Sequence, residues 1–188
     1  MLKIFSMKTL LLFLTCMILP VFASAQKYMT KNGYIGFFGH TPLEDIKADN
    51  NQVASILDAS NGEMVFQILM RSFHFERSLM EEHFNENYIE SEKYPKSVFK
   101  GKITNLPEIN FSKSGTYNAN VEGEMNIHGV AKSFSTKGTI EVKKGGITVK
   151  SKFKVKPEDF NITIPGLVRD KIAKEMEVSL EMNYTLMK

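Results

Sequence analysis

The chain is almost without cysteine. The single one among 188 residues, Cys16, sits in an apolar N-terminal run, so the remainder can form no disulfide, thiol nucleophile or cysteine-held metal site. Tryptophan is absent, and neither sign of charge dominates: 24 Lys and Arg stand against 21 Asp and Glu, a net charge of +3 that falls to about +1 when Lys3 and Lys8 are set aside. A nucleic-acid partner would need a clustered basic surface, which this balance does not supply. One long apolar run occurs, Leu10 to Leu19, and it is shorter than the ~20 residues that a membrane-spanning helix needs.

Lys3 and Lys8 precede that run and Ala23-Ser-Ala25 follows it. A charged start, an apolar centre and a small-residue cleavage site are the order of a secretory signal. The expectation is cleavage after Ala25, giving a periplasmic or secreted protein with one domain over residues 26–188. Cys16 is a poor lipidation site, because Phe13-Leu-Thr stands where a lipoprotein signal prefers small residues. Stability must then come from an apolar core, and 43% hydrophobic residues with 14 Phe can supply one.

The dominant period is two, which indicates half-buried strands. From Tyr117 one face reads Tyr117, Ala119, Val121, Gly123, Met125, Ile127, and the other is polar up to His128. After a turn at Gly129, residues 130–142 carry Phe134, Thr136, Gly138, Ile140 and Val142 on one face. Lys143-Lys-Gly-Gly146 predicts a hairpin turn, followed by strands over 147–155 and 176–186. Four such strands with short connections describe an antiparallel meander, and closure into a barrel buries its apolar face and removes its edges. In the first half, strands are expected over 34–38 and 52–58, and Asn61-Gly62 turns into a long run from Glu63 to Phe75. Met64, Phe66, Ile68 and Met70 share a face of that run, which Phe73 and Phe75 rejoin only through a bulge. Helices are expected over 78–88 and 167–174.

The inward set of this barrel mixes Phe99, Met125, Phe134 and Phe153 with Gly101, Ala119, Gly123, Thr136, Gly138 and Ser151. Such small residues leave either a void for a ligand or room for the sheet to bend. A ligand filling a void of this composition would be long and apolar. Catalysis finds little support: none of His40, His74, His83 and His128 pairs at the i, i+4 spacing of a helical metal site. No nucleophile elbow or phosphate loop occurs, and no cofactor is expected. His128 falls at a strand end, in a turn or surface role. Lys150, Lys152, Lys154 and Lys156 form a basic stripe on the outer face, which solubilises the barrel and could touch anionic lipid.

Three runs, HFNENYIESEKYPKSVFKGKI, GTYNANVEGEMNIHGVAKSF and SKFKVKPEDFNITIP, resemble the YceI-like family, the polyisoprenoid-binding, lipocalin-like proteins of the bacterial periplasm. The matching pieces are Tyr94-Pro95 leading to Phe99, the strand ending in residues 126–130, and Phe153 followed by Asp159-Phe160 and Ile164, in order over roughly 63–187. The hairpin between Phe38 and Gln52 looks shorter than the family pattern. The resemblance implies an all-β, antiparallel eight-stranded barrel with one or two short helices. It implies non-catalytic binding of an isoprenoid or other long-chain lipid in the interior, for transport, storage or sequestration. The implied lining is Phe66, Ile68, Met70, Phe84, Phe99, Met125, Phe134, Phe153, Val178 and Met182, with Arg71 and His74 as head-group contacts. It also favours void over bend at Gly123 and Gly138. A structural or protein-interaction module of the envelope is the competing expectation, and pairing of two barrels is left open.

Overall fold

Alternating sequence becomes strand over most of residues 26–187, the part described by the computed structural model; the signal expected over residues 1–25 lies outside the described residues. The strands are β1 Lys27–His40, β2 Asp45–Asp58, β3 Glu63–Leu69, β4 His74–Phe75, β5 Lys96–Ile103, β6 Gly115–Ile127, β7 Val130–Lys143, β8 Gly146–Val155 and β9 Met176–Leu186. Their order is β1-β9-β8-β7-β6-β5-β3-β2, all neighbours antiparallel, and β1 pairs with β2 to close an eight-stranded barrel. The short β4 lies outside the closed ring, paired to β2 through Ala48 and Asp49. One short helix, α1 Ser78–His83, continues into a π-helical turn over Phe84–Tyr88, as the sequence predicts for 78–88.

The first half holds more strand than the sequence suggests. β1 and β2 run 14 residues each, joined by a tight turn in which the Thr41 hydroxyl accepts from the Leu43 and Glu44 amides. Thr41-Pro42, inside the hairpin between Phe38 and Gln52 that looked short, forms this turn, since proline cannot donate to a ladder but fits a bend. Met29 and Tyr34 flank a register shift in β1, which is why plain alternation misses its start.

The long run from Glu63 does not reach Phe75 as one strand. β3 alternates cleanly to Leu69, then Met70–Ser72 forms a 3-10 turn, with Met70 N donating to the Pro95 carbonyl. The turn resets the phase, so Phe73 returns to the interior without a bulge. Gly166–Lys171 is likewise 3-10 rather than α, and the helix expected to Lys174 stops there.

The connections divide the barrel into two ends. At the lower end lie residues 59–62, the 104–114 connection and the Lys144-Gly145 turn. At the upper end lie residues 41–44, the 70–95 segment with α1, the His128-Gly129 turn and residues 156–175.

Candidate functional site

The lower half of the interior is solid. Leu57, Ile103 and Met182 are fully buried there with Tyr184, and the 104–114 connection folds Ile109 and Phe111 across the base. The Phe111 ring stacks on Tyr28 with centroids 6.2 Å apart. Ser55 Oγ donates to the Val65 carbonyl at 2.9 Å, so the Tyr184 hydroxyl, 2.6 Å from Ser55 Oγ, is the donor of that second bond. Burial pushes the Tyr184 phenol well above its ordinary range. The pair is a satisfied polar link inside the plug.

The upper half is hollow. A cavity of about 530 Å³ extends from Met64 to the upper rim, within the ~300–1,000 Å³ of small-molecule pockets. Four rings from four strands form one wall: Phe66 to Phe99 at 6.0 Å, Phe99 to Phe134 at 6.0 Å, and Phe134 to Phe153 at 4.9 Å between centroids. Near the rim Phe37, Phe73, Phe75 and Phe84 make a second cluster with spacings of 5.1 to 5.8 Å. Polar groups in the wall are engaged within it: Ser97 donates to the Met70 sulfur at 3.0 Å, and Ser151 to the Lys137 carbonyl at 2.7 Å. The charged side chains that border the cavity gather at the mouth, where Glu44 pairs with Arg77, and His83 and Lys171 stand nearby.

Of the lining read from the sequence, Phe66, Ile68, Met70, Phe84, Phe99, Met125, Phe134, Phe153 and Val178 border the cavity. Met182 does not. It is fully buried in the plug, its sulfur filling the notch left by Gly33, where a Cβ would come within 2.1 Å of it. Arg71 and His74 also lie outside the lining: Arg71 pairs with Glu92 at 2.9 Å, and exposed His74 lies 3.6 Å from Glu81. Arg71 lies within the 3-10 turn that ends β3 and His74 just after it, and the turn swings both to the outer surface. Phe37, Phe73 and Phe75 are among the lining residues that sequence reasoning missed. The signal for the last two was their return to phase after a three-residue turn, which a strand template reads as a bulge.

The small residues serve closeness more than emptiness. Gly101 and Gly123 face each other across β5 and β6, and the Phe99 ring covers them; a Cβ on Gly123 would lie 2.3 Å from the Lys100 carbonyl. Gly138 borders the cavity, yet a Cβ there would meet the Lys150 carbonyl at 2.6 Å. These glycines let neighbouring backbones approach as the sheet curves, so the void comes from ring placement and not from missing side chains. That corrects the expectation of space at Gly123 and Gly138.

His128 fastens the rim. It begins the β6–β7 turn with φ of 53°, followed by Gly129 at 75°, the paired positive angles of a two-residue hairpin. Its ring is about 10% exposed and stands edge-on to Tyr94 at 4.4 Å. Nδ1 donates to the Phe160 carbonyl at 3.1 Å, and Nε2 lies 2.7 Å from the Glu90 carboxylate. The turn position matches the sequence reading, but the side chain is tucked in, tying both long upper connections to one hairpin.

The outer lysine stripe is neutralised. Lys150 pairs with Glu181 at 3.0 Å, Lys152 with Glu177 at 3.5 Å, and Lys154 and Lys156 with Glu175 at 3.1 and 3.6 Å. Hydrogen bonds from Lys154 and Lys150 hold the carboxyls of Glu175 and Glu181, respectively, below their ordinary values.

Known structures share this architecture. A polyisoprenoid binding domain from Saccharophagus degradans, implicated in plant cell wall breakdown, superposes with a TM-score of 0.75 at 12% identity, over 87% of this chain and 100% of that one. BcnA of Burkholderia cenocepacia matches with a TM-score of 0.67 at 15% identity, over 81% and 96% of the two chains. The YceI protein of Campylobacter jejuni matches with a TM-score of 0.56 at 18% identity, over 79% and 89%. At these identities the likeness speaks for the fold. No curated protein sequence matches the chain significantly. The sequence model of the YceI-like domain aligns with residues 27–184, from the first residue of the barrel into its last strand, and by that span the chain belongs to the YceI-like family.

Proposed function

We propose that this chain binds one long apolar lipid, of isoprenoid type, in the upper half of its barrel without transforming it, and carries, stores or sequesters it in the cell envelope. The observation that carries the reading is the one-ended cavity: a ring-lined interior with a solid floor and its charged groups at the mouth. An extended hydrocarbon would lie along the phenylalanine wall, losing its contact with water, while a polar head would remain at the rim beside His83 and Lys171. Apolar burial of this kind stabilises the complex by roughly 25 cal/mol per Å². The wall presents no free acid, base or nucleophile to such a chain, since Ser97 and Ser151 are already engaged. The description of the Saccharophagus degradans neighbour as polyisoprenoid binding points the same way. A purely structural role has no use for a hollow upper half.

Native mass spectrometry of protein purified from its own host tests the reading, with a co-purified isoprenoid or fatty species expected and an empty barrel overturning it. Val178→Trp provides the mutational arm, because Val178 borders the cavity on β9. Added bulk there should reduce lipid uptake roughly tenfold or more while costing about 1–3 kcal/mol of stability.

A further inference from the structure

We propose that the open end of the barrel docks on the surface of an anionic lipid bilayer, with Leu167 as the side chain that enters it. The inference rests on the carrier reading above and adds the surface from which the lipid is taken or to which it is given. Three leucines stand out among the large apolar side chains: Leu167 is 99% exposed, Leu43 66% and Leu79 60%. They belong to three different connections, and all three connections lie at the upper end. Each adjoins the mouth: Val168 and Lys171 border the cavity beside Leu167, Glu44 beside Leu43, and Leu79 itself is part of the rim. Among the described residues, the most exposed large apolar side chains therefore surround the mouth of this apolar cavity.

Charge selects the partner and the approach. Residues 166–174 carry Arg169, Lys171 and Lys174 against Asp170 alone, and none of these cations makes an ion pair among the described residues. The Lys150 to Lys156 stripe, by contrast, is matched by Glu175, Glu177 and Glu181 and has little left for a surface. The opposite rim, at α1, bears Glu76, Glu81 and Glu82, so the 166–174 segment leads the approach. A lone, wholly exposed leucine amid cations offers little area to a protein partner. A bilayer meets both features at once, taking the leucine among its acyl chains and the cations among anionic head groups. Contact at the mouth lets an apolar chain pass between membrane and cavity without crossing open water.

Sedimentation of the protein with vesicles tests this directly. Binding is expected to vesicles of phosphatidylcholine mixed with phosphatidylglycerol, weaker binding to phosphatidylcholine alone, and a decline at high salt. Leu167→Asp should weaken vesicle binding roughly tenfold or more, and Lys174→Glu should weaken it a few-fold. Because Leu167 does not line the cavity, Leu167→Asp should still take up an isoprenoid alcohol delivered from detergent. Wild-type protein that ignores the mixed vesicles, or a Leu167→Asp variant that sediments like wild type, overturns the proposal. So does a solution dimer that Leu167→Asp dissolves, which would assign the leucine to a second copy. Failure of the wild-type protein to load from detergent counts against the carrier reading instead, and sedimentation still decides the docking.

Discussion

The two halves of the barrel are built from the same eight strands with the same inward alternation, yet one is filled and the other hollow. In the lower half Leu57, Ile103, Met182 and Tyr184 meet across the axis, and Ile109 and Phe111 close the base from the 104–114 connection. In the upper half the inward positions hold phenyl rings that pack tilted or edge-on around the wall. The 70–95 connection sets α1 at the rim and leaves the entrance open. Alternation determines which side chains face the axis. Whether they meet there depends on ring orientation and on what each end's connections lay across the opening.

Truncation should separate the halves most sharply. Leu57→Ala, in the plug, should cost about 3 kcal/mol by urea denaturation, since close-packed neighbours cannot collapse into the gap. Phe134→Ala, facing the cavity, should cost only about 1–2 kcal/mol, because the ring already lacks partners on one side. Equal losses would mean that the upper half is packed in solution. His128→Ala comes next: losing the bonds to Glu90 and the Phe160 carbonyl should cost about 1–2 kcal/mol. Hydrogen exchange should then rise in the 84–95 and 156–162 segments and leave the lower strands protected. A loss spread evenly over the barrel would show that His128 is not a fastening of the upper end.

Alkaline pH gives the smallest contrast. Tyr34 donates to Asp49 at 2.6 Å on the outer wall, and that bond pushes its phenol up to about 12. Tyr184 is raised mainly by burial in the plug. A phenol raised in the folded state contributes stability that is complete below its unfolded value near pH 10 and is lost as pH climbs toward the folded one. The urea midpoint should therefore fall from about pH 10 upward, and Tyr34→Phe should remove its share of the slope while Tyr184 and Tyr88, both raised by burial, keep theirs. An unchanged slope in Tyr34→Phe would place the whole effect on other groups.

Residues 115–155 show how much of the fold was legible: every strand there follows the alternation, and both tight turns fall where the glycines predicted them. β1 was harder to see because a register shift interrupts its period. At the candidate site, Phe66, Phe99, Phe134 and Phe153 were readable from parity, whereas Phe37, Phe73 and Phe75 were hidden by the broken period of β1 and by the turn after β3. Met182 has the parity of a lining residue, but the distance along β9 at which the plug begins has no signature in period two. Arg71 and His74 looked like rim groups, and the same 3-10 turn carried them outward.

By itself the sequence determined an inward and an outward face for each regular strand, and with them an antiparallel barrel with an apolar interior. A period of two places successive side chains on opposite faces whatever the rest of the chain does. Only the tertiary structure decided that the glycines at 101, 123 and 138 serve close backbone approach, that the lower half is a plug, and that the mouth opens between α1 and the 166–171 segment. Those outcomes depend on distances between strands far apart in sequence, which are set when β1 closes on β2 and no local pattern records them.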